Sequence, residues 1–150
     1  MTLKILAVSL AAAAAALAGI PVTHRGIASG FLVVTGHAES AYRPVLESLA
    51  PQSVTVVVLM GMASRAKLAS LLLARGWAAH TPAAIVSAAS HETARTWTGT
   101  LEALAGAASA EDAGDGPGTL VIGDVVSLAA ELAGTESVEP AAPRMAVGQR

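Results

Sequence analysis

The sequence predicts an α/β fold, a mixed sheet flanked by helices, and three observations predict it. β-rich runs alternate with helical runs along most of the chain, the order expected of a sheet covered by helices on its faces. The clearest run, Ser53 to Met60, is β-branched without alternation, as a strand buried on both faces must be. Finally, 53% of the 150 residues are hydrophobic and only 3% aromatic (Phe31, Tyr42, Trp77, Trp97), so the layers must pack through Ala, Val, Leu and Ile rather than through rings.

The remaining composition excludes several classes of function. With 13% charged residues and a mean hydropathy of +0.59, the chain is no charged disordered tail, because it carries enough apolar surface to fold. A net charge of −2 provides no footprint for nucleic acid, which needs clustered Lys and Arg. There is no cysteine, hence no disulfide framework, no thiolate nucleophile and no cysteine-based zinc site.

The elements follow in order. Lys4 precedes an uncharged, alanine-rich run from Ile5 to Ile20, and Ala16-Leu17-Ala18 before Gly19 imitates a secretory cleavage site. The span Ile5 to Val22 also reaches the minimum length of a membrane helix. Alanine, however, is nearly neutral in membranes and is the best helix former, so the run equally suits a soluble helix packed closely on its neighbours. Gly19 and Pro21 should end it. Gly30 to Gly36 reads as a strand bounded by glycines, and His37 to Ala50 as a helix closed by Pro51. After the strand ending at Met60, Ala63 to Arg75 reads as a helix with Leu68, Leu71 and Leu72 inside and Arg65, Lys67 and Arg75 outside. Gly76 is its C′ residue. Pro82 to Ala89 and Arg95 to Gly99 read as strands, and Thr100 as the N-cap of a helix from Leu101 to about Ala110. Glu111 to Gly118 is a polar loop, Thr119 to Ile122 a short strand, and Val125 to Leu132 a last helical or mixed element. Beyond Gly134 the composition suggests a disordered tail.

Few residues carry a chemical signal of their own. Gly114-Asp-Gly-Pro-Gly118 resembles a ligand-cradling loop, but it follows a helix and precedes a strand, the reverse of the required context. His24, His37, His80 and His91 lack the spacing of metal ligands, and Asp112, Asp115 and Asp124 sit in or beside turns. Thr23-His24-Arg25 is more informative. Here a hydroxyl, an imidazole and a guanidinium follow a proline that fixes the backbone, and Arg25 could grip a carboxylate. The plainer alternative is that Thr23 caps and Arg25 pairs with a neighbouring acid.

Gly19-Ile-Pro-Val-Thr-His-Arg-Gly-Ile-Ala-Ser29 followed by Val33-Val-Thr-Gly-His37 closely resembles the C-terminal half of the uroporphyrinogen-III C-methyltransferases of the tetrapyrrole methylase family. The resemblance continues through Thr55 to Gly61, Arg75-Gly76, Thr81 to Val86, Thr98 to Leu101 and Leu120 to Val126, and covers roughly residues 8 to 133. It implies the C-terminal domain of a tetrapyrrole methylase-like fold over residues 19–133. Residues 1–18 would be a remnant helix of the cofactor domain, and residues 134–150 a disordered tail.

The activity implied is transfer of methyl groups from S-adenosylmethionine to C2 and C7 of uroporphyrinogen III, giving precorrin-2 for sirohaem and cobalamin synthesis. The cleft would lie between two domains, commonly in a cytoplasmic homodimer with no nucleic-acid or membrane partner. By the same resemblance Ser9, Met60 and Ala89 fall at cofactor-binding positions, and Thr23, His24 and Arg25 form a substrate-side element. Leu6-Ala7 stands where the family has Pro-Gly, Leu10 replaces a small residue, and Ala89 replaces a glycine. The family's GxGPGD loop, acidic catalytic residue and second glycine-rich segment have no counterpart and would precede Met1. The expectation is therefore an N-terminally truncated, inactive fragment. The alternative is a non-catalytic, secreted or membrane-anchored interaction module with a methylase-like fold.

Overall fold

The computed structural model describes residues 2–88, 92, 94–105 and 117–135. Helix α1 (Thr2–Leu17) leads through a turn to strand β1 (Phe31–Thr35), helix α2 (Glu39–Ser48), strand β2 (Thr55–Leu59) and helix α3 (Arg65–Ala74). Strands β3 (Pro82–Ser87) and β4 (Arg95–Thr100) follow, with helix α4 (Leu101–Ala105) immediately after β4. Strand β5 (Gly118–Ile122), a 3₁₀ turn (Asp124–Ser127) and helix α5 (Leu128–Thr135) complete the described chain. Of the helix expected from Leu101 to about Ala110, residues beyond Ala105 lie outside the described residues; Gly134 and Thr135, expected to open the tail, instead end α5, and the rest of the expected tail lies outside the described residues.

Both helix ends read from glycines form as expected, and by the same chemistry. Gly19 (φ 69°) and Gly76 (φ 90°) take the left-handed conformation that only glycine adopts without strain. The Gly19 N–H donates to the Ala16 carbonyl and the Ile20 N–H to that of Ala15, both at 2.9 Å. At α3 the Gly76 N–H reaches the Leu73 carbonyl and the Trp77 N–H that of Leu72, both at 3.0 Å. Each pair is a Schellman cap, and each drives the following apolar residue, Ile20 or Trp77, into the core. Thr100 caps α4 through its hydroxyl, which accepts the Ala103 N–H at 3.2 Å.

The five strands are ordered β1-β2-β5-β3-β4; β1 and β2 are parallel, and every other neighbouring pair is antiparallel. β2 is fully enclosed, with Val56, Val57 and Val58 at zero exposure, as its unbroken β-branched pattern requires. Because side chains alternate across a strand, the sheet builds two cores. Val56, Val58, Ile85, Leu120 and Ile122 face α2, α3 and α4, meeting Tyr42, Leu46, Leu68, Leu72, Leu101 and Leu104. Ala84, Val86 and Val121 face the opposite way, onto Ala15, Ile20, Ala28, Val125 and Val126. The alanine run is thus an ordinary packing helix on its inner side, while Leu10 and Leu17 on its outer side are 58% and 67% exposed.

Thr55 opens β2 with its side chain wholly buried and its hydroxyl without a hydrogen-bond partner. An unpaired buried hydroxyl costs on the order of 1–3 kcal/mol, and valine has the same shape without it. Thr55→Val should therefore raise the unfolding free energy by about 1 kcal/mol in urea titration. An unchanged or lower midpoint would mean that the hydroxyl is satisfied.

On α2, Arg43 bridges Glu39 and Glu47, the latter at 3.0 Å. The hydrogen bond and charge of Arg43 hold the Glu39 carboxyl below its usual value, while burial pushes the Tyr42 phenol up. A depressed folded-state carboxyl stabilises above its unfolded value and loses that contribution as pH falls through the folded one. Wild type and Glu39→Gln should therefore differ in Tm at neutral pH and converge under acid conditions. A difference independent of pH would assign the effect to helix propensity instead.

Candidate functional site at the strand ends

The register brings five chain segments to one edge of the sheet. The C-terminal ends of β1, β2 and β3 lie there with the N-terminal ends of β5 and β4, as the pairs Thr35↔Leu59, Val58↔Leu120, Ser87↔Gly118 and Ser87↔Arg95 fix. The outer ends of strands are where open α/β sheets bind ligands, because the connecting loops leave the main chain uncovered.

The backbone at this edge is unusual. Met60 (φ 52°) and Ala88 (φ 51°) occupy the left-handed region directly after β2 and β3. Non-glycine residues in this region cost roughly 1 kcal/mol or more and cluster at ligand sites. Met60 is also 63% exposed, an apolar side chain held in solvent by a strained turn. Beside it, Gly36 and Gly61 press main chain against main chain. A Cβ added to Gly36 would lie 2.5 Å from the Gly61 Cα, and one added to Gly61 would lie 2.7 Å from Val58. The Ser64 hydroxyl donates to the Gly36 carbonyl at 2.6 Å, tying the start of α3 to the end of β1. The Met62 sulfur lies over Gly118, within 2.7 Å of where a Cβ would stand. Arg65, expected on the outer side of α3, instead turns back and donates through Nη1 to the Met62 carbonyl at 2.7 Å. Exposed His37 follows Gly36 at the same edge.

The second element is the turn after α1. The His24 carbonyl accepts from the N–H groups of Ile27 and Ala28, and the His24 N–H donates to the Ala28 carbonyl, each at 3.0 Å. Gly26 (φ 82°) makes the reversal possible. Thr23, His24 and Arg25 are exposed and, with Gly26, Ala28 and Ser29, line a recess of about 360 Å³. His24 Nδ1 lies 3.0 Å from the Arg25 carbonyl.

The residues singled out from the sequence therefore fall into separate places. Thr23, His24 and Arg25 are together on one turn, and Met60 is at the strand-end edge and does not line their recess. Ser9 falls on α1, and Ala89 lies outside the described residues, one position beyond Ala88. The strain at Ala88 and the close contacts of Gly36, Gly61 and Gly118 are not readable from the sequence. Their signal is steric and arises only once strands distant in sequence are paired, although the glycine directly after each of β1 and β2 was a legible trace.

Among the described residues no three His, Asp or Glu side chains cluster as metal ligands, and no helix is long and apolar enough to cross a membrane. Met60 thus gives this edge an exposed, apolar, sulfur-bearing side chain, while Gly36 and Gly61 beside it are buried.

The family model for Tetrapyrrole (Corrin/Porphyrin) Methylases matches residues 5–105. The chain is 40% identical over 126 residues to the siroheme synthase of Chromobacterium violaceum, a match covering 83% of this chain and 27% of that one. Among solved structures, the uroporphyrin-III C-methyltransferase of Thermus thermophilus superposes with a TM-score of 0.65 at 33% identity, over 81% of this chain and 50% of that one. Its complex with S-adenyl homocysteine matches at 32% identity with a TM-score of 0.62, over 75% and 49% of the two chains. This chain thus spans about a quarter of the siroheme synthase and half of the solved enzyme. By the extent of the family match and the shared fold, the chain belongs to the tetrapyrrole methylases.

Proposed function

We propose that this chain is the carboxy-terminal α/β domain of an S-adenosylmethionine-dependent uroporphyrinogen-III C-methyltransferase, acting in sirohaem or cobalamin synthesis. Residues 19–133 form that domain, and residues 1–18 are a helix belonging to the adjoining cofactor domain. The observation that carries the reading is Met60, strained, exposed and set at the strand-end edge. The cofactor supplies an electrophilic methyl group on sulfonium sulfur. Met60 and the main chain at Ala88 contribute one wall for it, with Ala89 and Ser9 assigned by resemblance. Thr23, His24 and Arg25 face the tetrapyrrole, Arg25 gripping a side-chain carboxylate through its planar fork. Catalysis of this kind is chiefly positioning, with sulfur, methyl and ring carbon held in line.

The enzyme works in the cytoplasm, as a homodimer, on a small-molecule substrate and without nucleic acid. Support for that location is the use of the apolar N-terminal run as α1, with Ala11 and Ala15 buried rather than left as a free leader. Intact mass after expression tests it, since a product beginning at Gly19 would establish export. The sequence GxGPGD does not occur in residues 1–150, so the chain by itself should transfer no methyl group.

The test is methionine-methyl NMR of the full chain with S-adenosylhomocysteine. At millimolar ligand the Met60 signal should shift, and Met60→Gln should abolish the response. Calorimetry at micromolar concentrations should show no tight binding. Shifts confined to residues away from the strand-end edge would refute the site.

A further inference from the structure

Gly36 is held at both of its polar groups, by the two ends of one turn. Its N–H donates to the Leu59 carbonyl at 2.8 Å, and its carbonyl accepts the Ser64 hydroxyl at 2.6 Å. Leu59 and Ser64 bracket the segment that carries Met60. Ser64 also closes that segment on itself, because its N–H donates to the Gly61 carbonyl at 3.0 Å. Its hydroxyl is put to a use unusual for its place. Ser64 is the N-cap residue of α3, where a serine oxygen ordinarily accepts from the N–H groups of the helix's own first turn. Ser64 makes no such bond. The hydroxyl reaches instead across 28 residues of sequence to the end of β1. Helix α3 thus forgoes a side-chain cap, and the bond fixes Gly36 against Gly61, so closely that a Cβ on Gly36 would lie 2.5 Å from the Gly61 Cα.

We infer that Ser64 is a positioning residue for the methyl donor's site, holding Met60 in its left-handed, outward conformation by tying the far end of its turn to Gly36. The inference rests on the methylase reading of this edge. A left-handed backbone is unfavourable in itself for a residue with a branch at Cβ or beyond, so Met60 (φ 52°) keeps it only while both ends of the turn are fixed. The Leu59 end is fixed by the sheet, through the Gly36 N–H. The other end has the Ser64 hydroxyl as its bond to β1. Without that bond the segment 61–64 can move away from Gly36, and Met60 relaxes to an ordinary φ with its side chain displaced. The effect passes through Met60, and Ser64 need not touch the ligand.

The experiment follows the Met60 methyl signal of the full chain as S-adenosylmethionine is added to millimolar concentration. Ser64→Ala should shift that signal in the free protein and raise the half-saturating concentration about three- to tenfold, as expected for one lost hydrogen bond. Ser64→Cys keeps the bulk but donates weakly, and should behave as Ser64→Ala does. Ser64→Thr restores a hydroxyl and should return to the wild-type value. The control is Leu104→Ala, a cavity under α4, which follows the end of β4 paired with Pro82 and so lies at the opposite end of the sheet. It should lower Tm at least as much as Ser64→Ala and leave half-saturation unchanged. A merely structural Ser64 would instead give a loss of affinity that follows Tm in every variant, and that result would overturn the inference. So would a wild-type Met60 response in Ser64→Ala, or no recovery in Ser64→Thr, and both leave the methylase reading intact. If Ser64→Ala fails to fold, the isosteric Ser64→Cys decides in its place. If the wild-type Met60 signal does not respond at all, the reading of this edge is lost, and the inference with it.

Discussion

Gly36→Ala is expected to lower the unfolding free energy by about 2–3 kcal/mol, near the top of the range for overpacking a well-fitted site. The added methyl group would stand 2.5 Å from the Cα of Gly61, and the obstacle is main chain, which cannot rotate away. Relief requires parting the ends of β1 and β2, and with them the 2.8 Å bond from the Gly36 N–H to the Leu59 carbonyl. Gly19→Ala is the matched control. Its φ of 69° makes alanine strained, yet nothing lies within 4 Å of the new atom, so it should cost only about 1–2 kcal/mol. Urea titration of both variants checks the ordering. If Gly36→Ala proves the milder change, the close approach of the two loops is not as described.

Leu120→Ala should cost about 3 kcal/mol, within the range of 2–5 for truncating a buried leucine. Leu120 is fully buried on β5, the strand that joins the β1-β2 pair to the β3-β4 pair. It also supports the site. Its Cδ1 would lie 3.2 Å from a Cβ at Gly61, so it fills the space beneath the turn that carries Met60. The cavity should therefore be felt twice, as a lower Tm and as increased mobility of the Met60 methyl in NMR. A variant that loses stability while Met60 stays unchanged would show that the strained turn is held by β1 and α3 alone.

Much of the secondary structure was legible because it follows local chemistry. Gly19 and Gly76 announce their caps through conformational freedom, and Thr100 its cap through a short hydroxyl. β2 is recognisable because only a doubly covered strand tolerates such an unbroken β-branched run. Strand order was not legible. Nothing within Gly118–Ile122 says that it enters between β2 and β3, since its apolar residues suit any central position. The site follows the same division. Thr23, His24 and Arg25 are neighbours in sequence and could be grouped from it, and Met60 was reached through its motif. The strain at Ala88 and the contact of Gly36 with Gly61 depend on distant strands meeting, and one-dimensional patterns do not encode that meeting. The outward turn of Met60 is likewise invisible to hydropathy, which assigns methionine to the interior.

The central place of β5 also bears on how the chain acquires its shape. As synthesis proceeds, β1 and β2 can pair around α2, and β3 and β4 can close as a hairpin, long before β5 exists. Until Gly118–Ile122 emerges, these halves have no strand in common, and β2 must wait about sixty residues for its antiparallel neighbour. Folding should therefore be late and concerted. The nascent chain would carry two exposed strand edges, vulnerable to proteases and to mispairing, until β5 is free to close them.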